Sequence, residues 1–222
     1  MKTKPYALVI FDWDGTLIDS QAHIIDCIER ASLAAGVEPA KPEAIRHIIG
    51  LGLLEAMQTL YPSLSTQQQQ RVADEYRAEF MLRNHKPLPL FDGARLTLEY
   101  LAANGYELAI ATGKSRAGLN KVLQEMDLKQ LFPVTRCADE TLSKPHPLML
   151  QEILQAYDRK PAEALMIGDT TYDLEMARAI QMDALGVSCG AHDVERLLAC
   201  QPRACLNSVQ DLPAWLEQQD SD

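Results

Sequence analysis

Tyr6 to Phe11 is an apolar run without helical period, and it stops abruptly at Asp12-Trp13-Asp14-Gly15-Thr16. That pattern predicts a buried strand followed by a sharp turn. The spacing then changes. Ile24, Ile25, Ile28, Ala31 and Ala35 form a helical stripe, with Ser20 as a candidate N-cap and Gly36 just past the end. Pro42 and Gly50 bracket a short helix in the expected order, proline first and glycine last. Leu53 to Leu60 reads as a third helix. Thr66 to Gln69 has the form of a capping box and opens a longer helix that reaches about Arg83. Pro87 and Pro89 end this stretch, which contains no convincing strand.

From Gly93 onward the chain alternates. A helix to Asn104 precedes a strand, Glu107 to Thr112, and a helix from Arg116 to Met126 precedes a short strand, Val134 to Cys137. A helix from Pro147 to Tyr157 leads to the strand Ala164 to Ile167, and one from Thr171 to Gln181 leads to Ala184 to Val187. Ala204 to Leu206 and a terminal helix from Val209 complete the pattern. Strands alternating with helices imply right-handed crossovers and a parallel sheet covered on both faces. The expected fold is therefore α/β, a core formed by residues 1–16 and 87–222 with an all-helical insert at 17–86. An insert leaving the first strand should stand over the carboxyl edge of the sheet, where such folds bind ligands.

Reading only the strand ends collects the candidate chemistry. Asp12 and Asp14 project to one side of an extended chain, where their repulsion and lost solvation are tolerable if a divalent cation sits between them. An ordinary turn with solvated acids would carry the same residues. The second strand ends in Thr112-Gly113-Lys114-Ser115, offering a hydroxyl and a backbone N–H that an anion can approach. Lys144 lies in the loop before the Pro147 helix. Asp169 follows the strand at Ile167-Gly168, and Asp173 lies on the first turn of the next helix, where the dipole alone would favour an acid.

Composition narrows the functional classes. Of 222 residues, 47% are apolar and 23% charged, which is usual for a folded domain. The net charge of −10 opposes nucleic acid and anionic membranes as partners. No apolar stretch has spanning length, and the early run ends at Asp12, so the expected location is the cytoplasm. Five scattered cysteines without a CxxC pair fit reduced thiols better than disulfides or zinc.

Taken in order, the Asp12-to-Thr16 box, Thr112, Lys144 and the Asp169/Asp173 pair closely resemble the haloacid dehalogenase-like hydrolase superfamily, and within it the phosphatases with a helical cap related to phosphoglycolate phosphatase. The resemblance runs nearly end to end and implies a Rossmann-like core with a cap entering after the first strand. It further implies that Asp12 is a nucleophile forming an aspartyl-phosphate and that Asp14 is the general acid and base. By the same resemblance Mg²⁺ is the cofactor, held by Asp12, Asp14 through its backbone carbonyl, and Asp169, with Asp173 nearby or acting through water. Thr112, Gly113 and Lys144 would hold the transferring phosphoryl group.

The substrate class implied is a small phosphorylated metabolite, phosphoglycolate or a similar ester. The dehalogenases lack an acid at the second position of the first box, and phosphonoacetaldehyde hydrolases follow Asp-Trp with Ala, so Asp14 favours phosphate esters. A β-phosphoglucomutase-like phosphomutase keeps every core box. A two-component receiver is disfavoured by the insert, and a non-catalytic phosphate-binding partner protein by the complete set of groups. Gly113 stands where many phosphatase relatives carry Asn, which leaves that contact to backbone. In the insert, Arg46, Gly50 and Gly52 are the candidates for substrate choice, although Arg46 and His47 fit better as exposed polar positions on a short helix.

Overall fold

The computed structural model describes residues 4–83 and 88–219. Six parallel strands form one sheet: β1 (Leu8–Phe11), β2 (Glu107–Thr112), β3 (Val134–Cys137), β4 (Ala164–Gly168), β5 (Asp183–Val187) and β6 (Ala204–Leu206). Their spatial order is β3-β2-β1-β4-β5-β6, so β1 is central and the order reverses beside it. In register, Phe11 lies opposite Ile110 on β2 and Ile167 on β4. The residues just beyond those three positions, Asp12, Thr112 and Asp169, consequently emerge at one edge.

Side-chain alternation along β1 builds two apolar layers. Val9, Phe11 and Trp13 join one cluster with helices α5 (Ala94–Ala103), α6 (Arg116–Glu125) and α10 (Leu212–Gln219). Leu8 and Ile10 join the other with α7 (Leu148–Tyr157), α8 (Thr171–Arg178) and α9 (Val194–Ala199). This accounts for the tryptophan inside the first acidic box: with period two, Trp13 is fully buried in the first layer while Asp12 and Asp14 face the other way. Between β1 and α5 lie α1 (Gln21–Ala34), α2 (Pro42–His47), α3 (Leu53–Leu60) and α4 (Thr66–Arg83). They share a third apolar cluster built on Ile24, Ile28, Ile45, Met57 and Val72.

Several local expectations need correction. The capping box that opens α4 is one residue earlier than expected: Ser65 and Gln68 bond reciprocally, and Gln69 instead turns inward and donates to the Tyr61 carbonyl at 2.9 Å. A row of four glutamines hides which of them reaches back. Ser20 does precede α1, but its hydroxyl makes no cap bond. α8 ends at Arg178 rather than at the expected Gln181, whose φ of 58° lies outside the helical path. The six-residue helix α9 had no visible period and was not expected. The expected junction at 86 and 87 falls outside the described residues.

Candidate active site

Asp12 is the centre of the edge. It is 1% exposed, and its Oδ1 lies 2.7 Å from Lys144 Nζ, at an angle outside hydrogen-bond geometry. Its Oδ2 is buried and has no hydrogen-bond partner among the described residues. Lys144 is also buried and spans to Asp173, donating to Oδ1 at 2.6 Å. The other oxygen of Asp173 accepts from the backbone and hydroxyl of Thr170, at 3.2 and 2.7 Å. Asp173 thus completes the capping box of α8 and anchors the lysine at once.

Asp169 is positioned by two strand-end turns. Its Oδ1 accepts from the Thr16 hydroxyl at 2.8 Å and its Oδ2 from the Ala191 N–H at 2.7 Å. Gly15 has a φ of +83°, and a Cβ there would overlap the Asp169 carboxylate. Glycine at this position therefore meets two demands, a left-handed backbone and the close approach of an acid. Neither Thr16 nor the 190–192 turn was expected at the site. Thr16 was visible in the first acidic box, but the turn had no sequence signal.

In front of this buried layer lies a cavity of about 540 Å³, lined by Asp12, Asp14 and Thr112 on one side and by the helical stretch on the other. Asp14 accepts at both oxygens from Lys114 Nζ, each at 2.9 Å. The Thr112 oxygen accepts from the Lys114 N–H at 3.2 Å, leaving its own O–H to donate. A Cβ at Gly113 would overlap the carbonyls of Gly50 and Leu51, so this glycine lets the loop of the helical stretch close onto β2. That loop is pinned further by the Gly52 N–H, which donates to Ser143 Oγ at 2.7 Å, and by Tyr172, which donates to the His47 carbonyl at 2.8 Å. Gly50 and Gly52 line the cavity, whereas Arg46 is exposed and outside its lining. His47 packs on His192 and Arg196 instead. Ser115 caps α6, accepting from the Gly118 N–H, and also lines the cavity.

The electrostatics follow from burial. Loss of solvent raises Asp12 well above the usual carboxylate range; Lys144 pulls it back, and Asp173 and Asp169 push it up again. Burial, then the charge of Asp173, raises Asp169 to about 7 against its two hydrogen bonds. Burial opposes the charge on Lys144, but its two carboxylate partners together outweigh that and hold the ammonium above its ordinary value.

Asp12, Asp169 and Asp173 each offer an oxygen, and the three oxygens lie within 4.8 Å of one another. Three acids against one lysine leave a negative excess, and one buried oxygen is orphaned. A divalent cation with a preference for oxygen fits such a donor set.

Known proteins resemble this chain over most of its length. The chain is 32% identical over 209 residues to the "Probable phosphatase IndB" of Dickeya dadantii, covering 92% of this chain and 91% of that protein. It is 29% identical to a phosphoglycolate phosphatase of Pseudomonas putida, covering 92% of this chain and 78% of the relative. A crystal structure of a hydrolase from Pseudomonas syringae shares the fold, with a TM-score of 0.86 at 22% identity over 96% of this chain and 99% of that one. A family model described as haloacid dehalogenase-like hydrolase matches residues 9–187, from β1 through β5 and across every acid and lysine of the site. With phosphatase relatives along almost its whole length, the protein belongs to the haloacid dehalogenase-like hydrolases and is a phosphatase of that family.

Proposed function

We propose that the protein hydrolyses a small phosphorylated metabolite in a Mg²⁺-dependent reaction through an aspartyl-phosphate on Asp12. The observation that carries this reading is the buried Asp12 carboxylate, held beside Lys144 with one oxygen unpartnered, at the floor of a cavity that Asp14 also lines. Phosphoglycolate is the first ester to test, because relatives are named for it.

An oxygen of Asp12 attacks phosphorus and the P–O bond to the alcohol breaks. Asp14, at the cavity wall, gives a proton to the departing oxygen and takes one from the water that later cleaves the acyl phosphate. Lys144, the Thr112 hydroxyl and the Gly113 N–H bind the phosphoryl oxygens as negative charge shifts onto them. Asp12, Asp169 and the Asp14 backbone carbonyl would hold Mg²⁺, with Asp173 acting mainly through Lys144 and water. When bound, the ion supplies charge that offsets repulsion between the Asp12 carboxylate and the anionic ester. The helices between residues 17 and 86 act as a cap, and their closed loop at Gly50 to Gly52 keeps bulk water from the acyl phosphate.

Phosphate release from a panel of phosphorylated metabolites, with Mg²⁺ and with EDTA, tests the reading. Equal release in EDTA would remove the metal from it. Interconversion of sugar phosphate isomers without net release would indicate a phosphomutase. Asp169→Ala should abolish turnover at millimolar Mg²⁺, whereas Asp173→Asn should lower it and be partly rescued by excess Mg²⁺. An unaltered Mg²⁺ dependence in both variants would contradict these assignments.

Gly52 is the sharpest probe of the cap. A Cβ at Gly52 would approach Ala138 and Ser143 to 3.2 Å, so Gly52→Leu should hold the loop off the core. Its kcat/KM should fall more for bulky esters than for acetyl phosphate. An equal fall for all esters, or none, would exclude this loop from substrate choice.

A further inference from the structure

The cavity in front of Asp12 is larger than a two-carbon acid requires, and its walls carry the wrong chemistry for one. Its volume of about 540 Å³ is in the range of sites for ring-sized ligands. Ile24, Ile49, Leu51, Leu53, Tyr76 and Phe80 form the wall opposite the acids. All six are buried or half-buried. The two rings lie together, with centroids 5.7 Å apart.

Charge in the lining divides cleanly by depth. Glu55, Arg77, Lys121 and Asp139 are exposed, two of each sign, and belong to the rim. Among the described residues the remaining lysine of the lining is Lys114, which both oxygens of Asp14 accept from and which sits 4.9 Å from the centre of the Phe80 ring. A carboxylate on the leaving group would therefore lose its water against an apolar wall and compete with Asp14 for one cation.

We infer that the leaving group is an alcohol bearing a bulky apolar or aromatic group and no carboxylate, seated against Tyr76 and Phe80. This rests on the phosphatase reading and specifies its substrate class. The ester oxygen would face Asp14, and the apolar body would extend away from Asp12 along α4. Removing such a group from water favours binding, and a ring can lie against Phe80.

The test uses the full chain with Mg²⁺ and three esters of primary alcohols: benzyl phosphate, ethyl phosphate and 2-phosphoglycolate. Acetyl phosphate reports phosphoryl transfer without demands on the cavity. The expected kcat/KM for benzyl phosphate is at least about tenfold above either of the other two alcohol esters. Phe80→Ala should lower it about tenfold while changing ethyl phosphate less than about twofold, and Phe80→Leu, which keeps the apolar volume better, should lie between.

A preference for 2-phosphoglycolate, equal rates on the three alcohol esters, or an equal fall on all of them in both Phe80 variants would overturn the inference and leave the phosphatase reading standing. No release from any of the four compounds would overturn both.

Discussion

Replacing Asp12 with Asn should leave the protein folded and lower kcat by roughly four orders of magnitude or more, because an amide does not attack phosphorus at a useful rate. The substitution is nearly isosteric and lies where a neutral group is favoured: burial already works against the charge of Asp12, and Asp169 and Asp173 add to that. Lys144 keeps its hydrogen bond to Asp173 at 2.6 Å, so no buried ammonium is stranded. Folding and turnover should therefore separate in this variant. Thermal unfolding together with phosphate release measures both. A folded Asn variant with near-normal turnover would remove Asp12 as the nucleophile.

Lys144→Met should damage stability and catalysis together. The side chain is buried between two carboxylates, 2.7 Å from Asp12 and 2.6 Å from Asp173, and methionine fills its volume without its charge. Breaking a buried ion pair by removing one partner costs about 3–5 kcal/mol, since the acids left behind have neither water nor a counter-charge. The unfolding midpoint without Mg²⁺ should drop by several degrees. Added Mg²⁺ should restore part of the loss by binding the folded state. Turnover should fall by about a hundredfold or more even in saturating Mg²⁺, because the phosphoryl oxygens lose a positioned donor. A variant as stable as the parent without Mg²⁺ would show that Lys144 does not hold the acids together.

The two variants probe residues of different legibility. Asp12 announces itself because the apolar run before it can only be a buried strand, and an acid at such an end needs a reason. Lys144 stands in a loop between His146-Pro147 and a stretch with no period, and most lysines in such places are solvated. Its place in a loop at the sheet edge made it a candidate and resemblance to a family gave it a role, whereas its burial depends on three turns meeting at one edge. Thr16 and Thr170 differ in a similar way. Each lies within two positions of a candidate acid in sequence, but the acid that Thr16 serves is 153 positions away.

The alternation of strands and helices, the helical stretch after the first strand and the acids at the strand ends are legible along the chain, because they depend on periodicity and on turn residues acting within a few positions. The strand order, the buried Asp12–Lys144–Asp173 chain, the pairing of Lys114 with Asp14 and the apolar wall facing them were decided only by tertiary structure. Those contacts join segments far apart along the chain, and no local pattern records which side chains become neighbours when the sheet assembles. The same reason displaced Arg46 from the site: its helix was legible, but which face of that helix meets the core is set by packing of Ile45 and Ile48 against other helices.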